Sequence, residues 1–163
     1  MSSLMHLHLV CGCDMPLPNL PSDSVTKAWI GLVKAQRRVL RSIEADVKAA
    51  GFPPLAWYDV LLELKRAGTG LRPQELETKL LLAQHNVSRL VDRLVDAGLV
   101  ERQPFEGDGR GQIITITGAG RDLQRRMWPI YGAAIQKHIG MRLGSERDAE
   151  ALSRLLGPLG DGE

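Results

Sequence analysis

Between positions 84 and 93 the polar side chains Gln84, His85, Asn86, Ser88, Arg89, Asp92 and Arg93 alternate with Val87, Leu90 and Val91. With Leu94 and Val95 these apolar residues recur at helical spacing. On a helix most of the polar groups then fall opposite one apolar stripe. Such a helix fits the major groove of duplex DNA, where Gln or Asn pairs with adenine and Arg with guanine. Each such pair discriminates by about 1–3 kcal/mol. Ser88 and the free N–H groups of the helix start suit phosphate oxygens. An isolated solvated helix would show the same polar face, so the neighbouring segments decide its meaning.

Those neighbours read as a β-hairpin. Leu99 to Gln103 and Gln112 to Thr117 are short strands, and Ile113, Thr115 and Thr117 alternate with Ile114 and Ile116 at the strand period of two. The glycines at 107, 109 and 111 mark the turn between them. Arg110 at its tip is placed to enter a minor groove, where a narrow groove concentrates negative potential. Asp108 stands ready to orient the guanidinium through a charge-assisted hydrogen bond. Attraction to phosphate needs more than these residues. From Leu82 to Arg102, Arg89, Arg93 and Arg102 are matched by Asp92, Asp96 and Glu101.

Composition narrows the classes further. The chain has 163 residues, 44% hydrophobic, enough for one domain with a real core, and a formal charge of +2. That is too little for a binder that works by bulk basicity. Only 4% of residues are aromatic, which argues against stacking of single-stranded bases. No HExxH, GxSxG or phosphate-loop motif occurs, so an enzyme is not expected. No cofactor or metal is expected either, because His6, His8, Cys11 and Cys13 fit no established zinc spacing. A cationic neighbour that would make either thiol reactive is not evident. No apolar run approaches the roughly 18 residues of a membrane span. The chain therefore reads as soluble and cytoplasmic.

The remaining elements must hold the polar helix and hairpin in place. Residues 1–22, with Pro16, Pro18 and Pro21, read as an extended arm. A long amphipathic helix follows over 23–50 and is stopped by Gly51 and Pro53-Pro54. Helices are predicted from Pro54 to near Gly68, over 72–80 and over 83–97, the last closed by Gly98. Two more follow the hairpin, from Arg121 to about Gly140 and from Ser145 to Leu159. Ser145 with Asp148 forms a capping arrangement. The fold class is mainly α with a small β-hairpin wing. It comprises a winged helix-turn-helix over 54–120, flanked by helices over 23–50 and 121–159 that are long enough to join two subunits.

The stretch from Leu80 to Arg102 resembles the recognition helix and first wing strand of the multiple antibiotic resistance regulator (MarR) family. Asp108-Gly109-Arg110 followed by Ile114 to Arg121 resembles the same family's wing. The resemblance runs from Ser24 to Leu159, with one departure, Ala83, where many members carry a Ser or Thr cap. It implies a homodimer on a pseudo-palindromic duplex, with Arg110 in the minor groove and the 84–93 face in the major groove. It also implies a repressor released by a small phenolic or carboxylate ligand, held in a cleft that Trp29, Trp57, Tyr58 and Trp128 would line together with Tyr131. Two alternatives stand beside this reading. One is a winged-helix module that binds protein. The other is a thiol- or metal-responsive regulator using Cys11 and Cys13.

Overall fold

The computed structural model describes residues 20–80, 87–104 and 111–160. Its contacts divide into two units, one ending at Ala35 and one running from Gln36. Helix α1 (Asp23–Ala49) begins where Ser22 Oγ accepts the Val25 N–H at 3.3 Å, and Asp23 adds a negative charge to the first turn. In the unit ending at Ala35, Val25, Trp29 and Leu32 share one helical face and are exposed. In the second unit the same helix buries Ile43 and Val47. The helix stops at Gly51, whose φ of +79° lies in the left-handed region.

Helix α2 (Leu55–Ala67) follows Pro54, α3 (Pro73–Lys79) opens on a proline, and α4 (Val87–Asp96) presents Val87, Leu90, Val91 and Leu94 to the core. Antiparallel β1 (Val100–Pro104) and β2 (Gln112–Ile116) pair from Val100 opposite Ile116 to Pro104 opposite Gln112. The core gathers Leu61 and Leu64 from α2, Leu76 from α3, Leu94 from α4, Ile114 from β2 and Met127 from the following helix. Among the described residues no buried side-chain N or O lacks a partner, and no helix is long and apolar enough to cross a membrane.

The architecture expected from periodicity is present, with three differences. First, the hairpin gains a rung from Leu71, whose N–H donates to Ile114 O at 3.0 Å while Ile114 N–H donates to Leu71 O at 2.8 Å. A single residue has no period, so no pattern announces it. Gly70 makes the approach possible. Its φ is +87°, and a Cβ there would lie 2.8 Å from Thr115 Cγ2.

Second, α5 (Gly118–Ile135) starts three residues before the expected Arg121. Its first turn holds Gly118 and Gly120, which weaken a helical pattern. Thr117 Oγ1 compensates by accepting the Gly120 N–H at 3.1 Å.

Third, the helix does not end near Gly140. It passes through a π-helical turn (Gln136–Gly140) into α6 (Met141–Leu143), then breaks at Gly144 before α7 (Glu146–Gly160). Ser145 Oγ accepts the Asp148 N–H at 3.2 Å, as the capping pattern anticipates. In the wider turn the consecutive Lys137 and His138 both reach Asp46 of α1, at 2.9 and 2.8 Å.

Two measurements test these joints. A Cβ at Gly120 would overlap the Leu99 carbonyl oxygen and come within 2.9 Å of Ile116 Cγ1. Gly120→Ala should therefore lower the unfolding free energy by about 1–3 kcal/mol in a urea titration. The Lys137 and His138 hydrogen bonds hold the Asp46 carboxyl below its ordinary value of 3.8. Their contribution is complete above that value and is lost as the pH falls through the lowered one. The stability gap between the wild type and Asp46→Asn should accordingly be widest near neutral pH and close in acid.

Candidate nucleic-acid interface

Helix α4 displays Ser88, Arg89 and Arg93 on its exposed side, opposite the buried Val87, Leu90, Val91 and Leu94. Gln84, His85 and Asn86 lie outside the described residues, as do Asp108 and Arg110 in the hairpin loop. The helix closes at Gly98, with φ +68°, and Leu99 N–H donates to Leu94 O at 2.9 Å. One residue later the chain enters β1, so helix and hairpin are joined without a flexible linker.

A side-chain pair fixes this junction from the solvent side. Arg102 Nη2, on β1, donates to Asp92 Oδ1, on α4, at 2.6 Å. Such an exposed pair adds only about 0–1 kcal/mol, so its consequence is geometric. It holds the polar face of α4 at one angle to the hairpin, and it neutralises Asp92 beside Arg93. Arg102 is thereby engaged with Asp92 in this structure. Nothing in the local pattern reveals this contact, because the partners are ten residues apart on elements of different period. Beneath it, Thr117 Oγ1 donates to Gly98 O at 2.8 Å, and Thr117 N–H donates to Leu99 O at 3.1 Å. Thr117 thus ties the end of α4, the hairpin base and the start of α5 together.

Three of the aromatic residues come together across α2 and α5. Tyr58 stacks with Trp128 at a ring separation of 6.3 Å and meets Tyr131 edge-on at 5.0 Å. Trp128 and Tyr131 are themselves edge-to-face at 6.1 Å. Gln124 Nε2 donates to Tyr58 Oη at 3.1 Å, and Lys65 Nζ donates to Gln124 Oε1 at 2.9 Å. Because the Tyr58 oxygen already accepts, its proton is available to a further acceptor. Burial, then the negative charge of Asp59, raises the Tyr131 pKa above its ordinary 10.0, so that phenol stays protonated in the neutral range. Trp128 is 52% exposed, so the cluster opens to solvent on one side. Trp57 packs against the core from α2, and no ring contact joins it to this cluster among the described residues. Trp29 is exposed on the unit that ends at Ala35.

The winged portion, residues 50–111, matches the MarR family model. Over 72 residues the chain is 32% identical to the HTH-type transcriptional regulator PecS of Dickeya dadantii, a match that spans 43% of each protein. Over residues 50–111 the chain is similar to the MarR family. Solved structures extend the likeness in fold over most of the chain length. A MarR family transcriptional regulator of Streptomyces coelicolor, Sco3205, in complex with DNA, superposes with a TM-score of 0.78 at 22% identity. That match covers 89% of this chain and 91% of Sco3205. BpsR of Bordetella bronchiseptica, described for regulation of its DNA binding by 6-hydroxynicotinic acid, superposes with a TM-score of 0.74 at 21% identity. There the coverage is 88% of this chain and all of BpsR. At these identities the superpositions establish the fold of this chain and nothing finer.

The Arg102–Asp92 link can be weighed directly. A double-mutant cycle with Arg102→Ala and Asp92→Ala should give a coupling of at most about 1 kcal/mol in unfolding free energy. A coupling of several kcal/mol would mean that the pair supports the fold and does more than set an angle.

Proposed function

We propose that this chain is a sequence-specific, double-stranded-DNA-binding transcriptional regulator of the MarR family that acts in the cytoplasm as a homodimer. The observation that carries the reading is the exposed Ser88, Arg89 and Arg93 face of α4, joined to the hairpin through the Thr117 bonds to Gly98 and Leu99, with Arg102 and Asp92 as a weaker outer tie. A polar helix face held at a fixed angle to a β-hairpin can enter the major groove while the hairpin reaches the adjacent minor groove. Gln84, His85 and Asn86, which precede α4 in sequence, and Asp108 and Arg110, between β1 and β2, are proposed as further DNA contacts on their residue types. The DNA complex of Sco3205 supports the same use of the fold.

The dimer follows from surface left uncovered in one chain. On α7, Leu152, Leu155, Leu156 and Leu159 recur at helical spacing, and all are exposed. A stripe of four leucines facing water is unfavourable and is covered when two copies associate. The exposed Val25, Trp29 and Leu32 on α1 form a second such stripe.

The regulator acts as a repressor, and a small aromatic acid or phenol releases it. Tyr58, Trp128 and Tyr131 offer stacking surface, and the Tyr58 hydroxyl offers a proton to a carboxylate or phenolate oxygen. Trp57, on the same helix as Tyr58, is a further candidate for this ligand. The regulation of BpsR by a hydroxylated aromatic acid supports this ligand class.

Selection of bound duplexes from a random pool tests the core of this proposal. The expected product is a palindrome with half-sites about one helical turn apart. Arg93→Ala should then cost about 1–3 kcal/mol and relax one selected position, while Arg110→Ala should weaken binding through the minor groove. If no duplex binds at any salt concentration, the neutral charge of the recognition segment is better explained by a protein-binding module.

A further inference from the structure

The winged helix proposed to read DNA carries no positive excess of its own. Residues 50–117 hold eight Lys and Arg against nine Asp and Glu. Non-specific attraction to a duplex comes from cations that displace condensed counterions, so it requires a basic surface somewhere on the molecule. Among the described residues of the second unit, one such surface lies on α1. Arg37, Arg38, Arg41 and Lys48 are all exposed. At 3.6 residues per turn they fall within an arc of roughly 100°. Ile43 and Val47, buried in the core, lie on the opposite side of the helix, so the basic face points away from the core.

None of the four forms an ion pair with a described residue. On α5 and the π-helical turn, by contrast, Arg125 pairs with Asp122 and Lys137 with Asp46. Glu44 borders the α1 stripe, leaving it strongly positive. From Arg37 to Lys48 the stripe runs about 16 Å, at 1.5 Å per residue. The same length of duplex axis carries on the order of ten phosphate charges. The match is one of charge and length, and it involves no base-reading groups.

We propose that Arg37, Arg38, Arg41 and Lys48 form a second, sequence-independent contact surface for the phosphate backbone of duplex DNA, outside the α4 and wing interface. The proposal rests on the DNA-binding reading above. It adds that much of the salt-dependent affinity comes from α1, while α4 and the wing supply sequence discrimination. A solvated basic face without a partner would predict the same exposure but no effect on binding.

The test is a titration of full-length protein with a selected duplex and with a scrambled duplex of equal length, over a range of KCl concentrations. Arg38→Ala/Arg41→Ala should bind both duplexes about tenfold or more weakly, and because a homodimer loses four cations the slope of log affinity against log salt should fall by up to about four. Arg38→Lys/Arg41→Lys should restore most of the affinity, because phosphate contacts follow charge. Arg93→Ala should instead weaken the selected duplex much more than the scrambled one. If the wild type binds the selected duplex and the double-alanine variant keeps its affinity and slope, the stripe is not a DNA surface and the regulator reading stands. If the wild type binds no duplex, the regulator reading and this proposal fall together. Sedimentation of each variant supplies the remaining control. A variant whose mass differs from that of the wild type assigns the stripe to subunit contact and overturns the proposal.

Discussion

The carbonyl of Leu99 is the point on which the rest of the structure depends. It follows the left-handed Gly98 that ends α4, it accepts the Thr117 N–H where β2 leaves the hairpin, and it sits against Gly120 in the first turn of α5. Three elements thus converge on one backbone atom, and a side chain at Gly120 would push them apart. Thr117 completes the joint by donating to Gly98 O and capping α5. Since the end of α4 and the base of the hairpin share this anchor, a shift of one moves the other. Arg102 and Asp92 add a second, weaker tie on the solvent side.

From that joint the two halves of the proposed function are mechanically close. Leu61 Cδ2 of α2 would lie 3.0 Å from a Cβ at Gly120, and Tyr58, one turn earlier on the same helix, forms the aromatic cluster with Trp128 and Tyr131. One rigid helix therefore touches both the base of the reading head and the surface suited to an aromatic ligand. A ligand that displaced α2 or α5 would act on the angle between α4 and the hairpin through packed side chains. The buried Gln124, bridging Lys65 and Tyr58, fixes the relation of the two helices at this level.

Charge and shape are divided between different parts of the chain. The winged portion is electrically balanced and derives its character from geometry, with polar side chains held on rigid backbone. The basic excess lies on the helices that flank it. Such a division lets attraction to a polyanion and discrimination among sequences vary independently, since they depend on different residues.

Much of this was legible in the residues alone. The apolar periods located α1 to α5 and both strands to within a few residues, and Gly51, Gly98 and the prolines marked breaks, because these signals arise from neighbours along the chain. The polar face of α4 was likewise visible, since helical spacing alone separates Ser88, Arg89 and Arg93 from the buried stripe. What only the tertiary structure decided are contacts between residues far apart in sequence. The Leu71 rung on β2, the pairing of Arg102 with Asp92, the gathering of Tyr58, Trp128 and Tyr131, and the capture of Asp46 by two consecutive residues of a π-helical turn are all of this kind. Periodicity shows which way a side chain points from its own element. Which partner it meets there depends on how the elements pack, and a single sequence carries no local signal for that.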